Sequence, residues 1–278
     1  MISGMDHFRA TNLECWEERA AVHAASPDYD VDLLATDPDR LSEVIRFDRP
    51  RLGAIEGLDV VHLQCHIGTD TISLAKLGAS VTGLDFSPSA LTQARDLAAR
   101  AGVDVRFVES ELYGAPAALG TTYDLVYTGV GALNWLPDIA GWARVVAAVL
   151  RPGGRLHLRE GHPMLWSLAD PRPDGLLSVE YPYFEIAQPS TFDEPWTYVA
   201  TDHEFVHNRT YEWNHGLGQI VTALLDAGLS LTMLVEHDSV PWDALPGMTE
   251  HLGEGEFRLR DRPERLPHTY TLQAVKPR

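Results

Sequence analysis

The sequence predicts a single α/β domain built on a doubly wound sheet of seven strands, mostly parallel, with an antiparallel terminal strand. Short apolar runs alternate with amphipathic helical stretches from residue 58 to residue 160. Strands separated by helices pair in parallel, because each helical crossover returns the chain to the same end of the sheet. A further helix and two strand-like runs follow near the C-terminus. A chain of 278 residues, 45% hydrophobic and 22% charged, can bury one sizeable core, and it lacks the run of about 18 apolar residues that spans a bilayer.

Each element has its own signal. Residues 8 to 25 place Phe8, Leu13, Trp16, Ala20 and His23 at helix-like spacing before "SPDYD" breaks the pattern, so residues 1–35 read as a helical N-terminal lid. The cofactor-binding core, 55–160, opens with the strand "LDVVHLQ", the helix "TDTISLAKLG" and the strand "ASVTGLD". The next helix carries Ser87 as N-cap, Pro88 at its first position and Gly102 as C-cap. "VDVRFVE" and "YDLVYTG" are strands three and four, "PDIAGWARVVAAVLRPGG" a helix, and "RLHLRE" strand five. Residues 161–215 abandon this rhythm for prolines, aromatics and turn residues. They form an insertion too long for an ordinary connection and suited to capping a site. Residues 216–278 resume with a helix ending near Gly228, then "SLTMLVEHD" and "HTYTLQAVK" as the last strand pair, with 241–267 as loop.

The formal net charge of −18 comes from 40 acids against 22 bases dispersed along the chain, which disfavours nucleic acid, a partner that needs clustered cations. Cys15 and Cys65 are the only cysteines, so neither a disulfide framework nor a four-cysteine zinc site is possible. The N-terminal residues have no basic and apolar succession of a signal peptide, and a cytoplasmic location is expected, without a membrane partner. Oligomeric state is not readable from these features.

The stretch "VVHLQCHIGTDTISLA", placed between the first strand and its helix, resembles the first motif of class I S-adenosylmethionine-dependent methyltransferases. That motif reads as apolar residues, an acid, any residue, then Gly-x-Gly-x-Gly. Here His62 stands in the acid's place, Gln64 and His66 replace the first two glycines, and Gly68 retains the third. Asp85 in "VTGLDFSPSAL", Glu111 in "VRFVESELYG" and "VLRPGGRLHL" follow at the expected intervals. The resemblance covers residues 55–160 well and 216–276 more weakly, and it leaves the insertion unaligned. It implies a Rossmann-like fold, S-adenosyl-L-methionine as cofactor, and methyl transfer to the nitrogen or oxygen of a small-molecule acceptor.

Asp85 lies 21 residues beyond Gln64, close to the spacing of about 20 for a ribose-binding acid. The resemblance assigns the adenine amino group to Glu111, for which Glu109 competes, with Phe86 and Leu112 as walls of the ring pocket. Gln64 is expected at the amino-acid end of the cofactor or on the loop backbone. His66, lacking glycine's freedom in φ, implies a redrawn turn. Thr128 begins the "TGVG" turn that lets backbone approach the methionine part, and Tyr29 belongs to the lid over the cleft. His162, just past strand five, and His215, at a helix entry, are the expected bases or acceptor-orienting groups. Glu160, Tyr183, Trp213 and Asn214 are expected to line the acceptor pocket with Trp16, and Arg19 to meet the methionine carboxylate.

Two other readings use the same residues. His62, Cys65, His66 and Asp70 contain metal-ligating types, but strand, turn and helix start point them apart, so no metal is expected. A dinucleotide-binding oxidoreductase would share the sheet and the acid, yet Gln64, His66 and Ile67 obstruct the approach of backbone to a pyrophosphate. A cofactor-binding module without methyl transfer is the remaining alternative.

Overall fold

A computed structural model describes residues 2–278. Three helices precede the sheet: α1 (Ile2–Ala25), α2 (Val31–Thr36) and α3 (Glu43–Leu52). The core then runs β1 (Asp59–Leu63), α4 (Thr69–Lys76), β2 (Ser80–Asp85), α5 (Pro88–Ala101), β3 (Val105–Glu109), α6 (Ala115–Leu119), β4 (Tyr123–Thr128), α7 (Ile139–Val149) and β5 (Leu150–Gly161). A short α8 (Pro163–Trp166) and the hairpin of β6 (Ser190–Asp193) with β7 (Arg209–Glu212) occupy the insertion. The chain closes with α9 (Leu217–Asp226), β8 (Ser230–His237), the hairpin β9 (Thr249–His251) and β10 (Phe257–Leu259), and β11 (Thr269–Val275).

Seven strands form one sheet in the order β3-β2-β1-β4-β5-β11-β8. Only β11 runs antiparallel to its neighbours, between β5 and β8. Helices α2 to α5 cover one face, where Ile45, Leu74 and Leu97 pack on Val60, Val81 and Phe107. Helices α6, α7 and α9 cover the other, where Trp142, Val146 and Leu224 pack on Val126, Leu156 and Leu272. Ser87 caps α5 by accepting from Ala90 N at 3.0 Å, and Gly102 ends it in the left-handed region at φ 66°, the punctuation its sequence carries.

Three features depart from the sequence reading. The "LRPGG" segment belongs to β5 rather than to the helix: α7 stops at Val149, and Leu150 already pairs with Tyr123, because Pro152 disfavours helical backbone at Arg151. Residues 241–267 contain the β9–β10 hairpin instead of loop alone. Helix α3, capped by Ser42 and carrying the buried Asp48, was not expected; Asp48 accepts from the Tyr127 hydroxyl at 2.7 Å beneath the sheet.

The lid also differs in character. The buried side of α1 holds Asn12, Cys15, Arg19, Ala20 and His23, so it is largely polar, while Phe8, Leu13 and Trp16 remain partly accessible. No helix among the described residues is long and apolar enough to cross a membrane.

Candidate active site

The loop between β1 and α4 keeps the backbone of a glycine-rich turn without its glycines. Gln64, His66 and Gly68 have φ of 57°, 49° and 82°, the left-handed region at each of the three glycine positions of the motif. The turn is therefore not redrawn. The two side-chain-bearing residues are forced into it at roughly 1–2 kcal/mol each. Anchors compensate: His66 N donates to Asp85 Oδ2 at 2.8 Å, Cys65 N to Leu84 O at 3.0 Å, and Gln64 Nε2 to Ala132 O at 2.9 Å. Gly68 is a glycine for a second reason, since a Cβ there would meet the Ala94 Cβ at 2.8 Å. Gly68→Ala is expected to lower stability by roughly 2 kcal/mol in chemical denaturation, combining the strained φ with overpacking.

Asp85 ends β2 beneath this loop, with Oδ1 accepting from Ser87 N at 2.9 Å. Burial pushes its carboxyl up to about 6, against the opposing pull of the amides of Ser87, His66 and Phe86. Glu17 of α1 reaches the same corner, where its carboxylate accepts from Ser89 N at 3.0 Å and Ser89 Oγ at 2.6 Å. Glu111 caps its own short turn by accepting from Tyr113 N at 2.9 Å, which occupies one of its oxygens. Phe86 is partly accessible beside Asp85, and Leu112 is buried in the core.

At the end of β4, Thr128 Oγ1 and Gln64 Oε1 are buried polar atoms without a partner among the described residues. Asp70, in the first turn of α4, faces the same region: a side chain at Gly129 would stand 3.3 Å from its Oδ2. Burial pushes the Asp70 carboxyl up to about 6. The turn after β4 is held by Glu160. Its Oε1 accepts from Gly131 N and Gly161 N, both at 2.6 Å, and its Oε2 from Ala132 N and Leu133 N, both at 2.8 Å. Glu160 thus shapes the site from behind and has no oxygen free for an acceptor.

Side chains of α1 and of the insertion roof the loop. His23 and His66 share a hydrogen bond at 2.9 Å, and Trp16 stands edge-on to His66 and to Trp135, each ring pair 5.1 Å apart. Tyr29 meets Tyr198 hydroxyl to hydroxyl, and His23 Nε2 meets Thr197 Oγ1 at 2.7 Å. Burial lowers His23 to about 2, with His66 and Arg19 adding to the shift, and lowers His66 to about 4. Both rings prefer to be neutral in the folded chain and protonate more readily when the roof is released. Its stability is thus complete above about 6.5 and declines as pH falls toward 4. Amide exchange in α1 is expected to accelerate between pH 7 and pH 5 more than exchange in α7.

Several expected site residues have other roles. Arg19 donates to the carbonyls of His207, Glu194 and Trp196 and lies 4.6 Å over the Phe205 ring, so it fastens lid to insertion and is not free for a carboxylate. His162 accepts from Met164 N at 3.0 Å as cap of α8, and its Nε2 is 2.9 Å from Glu236 on β8, an edge strand away from the loop. His215 spans Glu185 at 2.7 Å and the carbonyl of Leu136 at 2.8 Å. Tyr183 receives Leu217 N at the start of α9, and Asn214 donates to Pro163 O, Ser167 Oγ and Pro182 O. Trp213 is buried against Phe8. These contacts tie the insertion to the core. His62, Cys65 and Asp70 diverge as expected: His62 Nδ1 turns to Thr71 Oγ1 at 2.9 Å, and among the described residues no group of three metal-ligating side chains gathers.

Residues 61–156 match the methyltransferase-domain family. A ubiquinone biosynthesis O-methyltransferase of Methylobacterium sp. is 36% identical over 100 residues, covering 36% of this chain and 39% of the relative. The enzyme of the same name from Vibrio parahaemolyticus is 30% identical over 153 residues, covering 53% of the chain and 63% of the relative. The chain thus spans less than two thirds of either curated relative. An S-adenosylmethionine-dependent methyltransferase from Mesorhizobium loti superposes with a TM-score of 0.56 at 21% identity, covering 84% of this chain and 98% of that one. A glycopeptide N-methyltransferase solved with S-adenosylmethionine gives 0.51 at 19% identity, covering 84% and 92%. The fold is that of the class I S-adenosylmethionine-dependent methyltransferases. The chain carries their methyltransferase domain at residues 61–156.

Proposed function

We propose that the chain transfers a methyl group from S-adenosyl-L-methionine to a hydroxyl or amine of a small-molecule acceptor. The observation that carries this is the β1–α4 loop, which holds three left-handed residues over Asp85 although two of them are not glycine. A turn maintained against that strain is a site maintained for a ligand. The polar atoms fit this cofactor. Asp85 offers its remaining lone pairs to vicinal hydroxyls, while Gln64 Oε1 and Thr128 Oγ1 offer unfilled bonds at the amino-acid end. Phe86 and Leu112 supply the apolar walls, with Glu111 at the far end of the ring.

When bound, the sulfonium supplies a methyl group already activated for in-line displacement. The protein's own work is positioning and exclusion of water. Glu160 fixes the turn after β4 against which the acceptor comes to rest, and Trp16, His23, Tyr29 and Tyr198 close over the loop. The buried free thiols of Cys15 and Cys65 suit a reducing cytoplasm. Titration calorimetry with S-adenosylmethionine, S-adenosylhomocysteine and NAD tests the reading. Heat with the two sulfur ligands and none with NAD is expected, and silence with both sulfur ligands would overturn it.

A further inference from the structure

We propose that Glu212 is the catalytic carboxylate of this site, accepting the proton of an aromatic hydroxyl on the acceptor, an inference that rests on the methyl-transfer reading above. Glu212 ends β7 where the insertion meets α1 and the turn after β4. Its Oε2 accepts from Asn134 Nδ2 at 2.9 Å and its Oε1 from Thr210 Oγ1 at 3.1 Å, which leaves a lone pair on each oxygen. Asn134 directly follows the segment clamped by Glu160, and Trp213 N donates to Asn134 O at 2.8 Å, so the carboxylate is locked to the end of β4.

Two further observations point to a ligand here. Asn134 is 7% exposed and its Oδ1 has no partner among the described residues, so the Asn134–Glu212 pair presents an unfilled acceptor beside a carboxylate. Glu212 is enclosed by protein yet keeps part of its side chain accessible, as a group facing an internal cleft does. The walls nearby are Trp135, next to Asn134, and Trp16, both partly accessible and mutually perpendicular at 86°, which favours a flat aromatic acceptor.

The surroundings match the task. Asn134 and Thr210 are neutral, Glu194 is acidic, and burial, the largest influence, pushes the Glu212 carboxyl up to about 7. Cys15 on α1 faces the same carboxylate, with Arg19 beyond it already committed to carbonyls. A phenol keeps its proton at neutral pH and needs a base of this kind. The oxygen lone pair forms the new bond to carbon, the electrons of the broken C–S bond stay on sulfur, and the phenolic proton passes to a Glu212 oxygen. His162 and His215 are engaged elsewhere and compete for none of these roles.

The test uses the full chain saturated with S-adenosylhomocysteine, and 4-methylcatechol and its dimethyl ether as probes. Calorimetry should show the catechol binding at pH 7.5 about tenfold more weakly to Glu212→Gln than to the parent, with the ether indifferent to the substitution. The parent's preference for the catechol should fade below pH 6 as the carboxylate protonates, and that of Glu212→Gln should stay flat. With S-adenosylmethionine, transfer of labelled methyl to the catechol should fall roughly 10²–10⁴-fold in kcat. Glutamine keeps an oxygen for Asn134 and an amide for the Thr210 hydroxyl, so the variant should fold, and unchanged S-adenosylhomocysteine affinity would verify that. Equal catechol affinity in the two proteins, or no catechol binding at all, would overturn the assignment. Loss of S-adenosylhomocysteine binding by the parent would instead overturn the methyl-transfer reading itself.

Discussion

Asp85→Ala is expected to weaken S-adenosylhomocysteine binding by well over tenfold and to destabilise the fold in the same measurement series. The carboxylate holds His66 N at 2.8 Å and Ser87 N at 2.9 Å, so its removal leaves two buried amides unpaired at about 1–3 kcal/mol each. The loop loses most, because His66 has no intrinsic preference for φ 49° and stays there only while its amide is claimed. Asp85→Asn refines the point: one oxygen survives, while the new NH2 must face an amide N–H. The asparagine variant should lie nearer to alanine than to the parent in calorimetric affinity. Wild-type affinity in Asp85→Ala would show that Asp85 holds neither loop nor ligand.

Glu160→Gln should be among the most destabilising isosteric changes available in this chain, by roughly 4 kcal/mol in urea denaturation. Four backbone amides converge on one side chain, two on each oxygen. An amide group offers one accepting oxygen only, and whichever way it is turned its NH2 opposes two N–H donors. Glu160→Ala should cost a similar amount, since both variants strand at least two buried donors. Measured stability within about 1 kcal/mol of the parent for Glu160→Gln would mean that the turn after β4 finds other partners.

The sheet was legible because its signals are local. Ser87, Pro88 and Gly102 mark the bounds of α5 within one short segment, and apolar alternation marks the strands. The order of motifs similarly placed Asp85 and Gly68 correctly relative to the loop. What was not legible depends on partners far along the chain. Glu160 reads as a strand-end acid, and nothing near it announces that it folds back onto residues 131–133. His162 and His215 carry the right chemistry for a base, but Glu236 and Glu185 occupy them. Glu212 was overlooked beside its aromatic neighbours because Asn134, which gives it meaning, lies 78 residues earlier. The left-handed Gln64 and His66 are a tertiary override of local preference, maintained by Asp85, Ala132 and His23.

The polar inner side of α1 has a consequence for the open form of the protein. Asn12 pairs in both directions with the backbone of Tyr211, Glu18 receives the amides of Val206 and His207, and Arg19 serves three carbonyls. When such a lid lifts, water can replace each of these bonds, and little greasy surface is laid bare. Opening to admit substrate therefore carries a small risk of self-association. A dissolved, open enzyme can persist between turnovers at concentrations where a lid seated on leucines would clump.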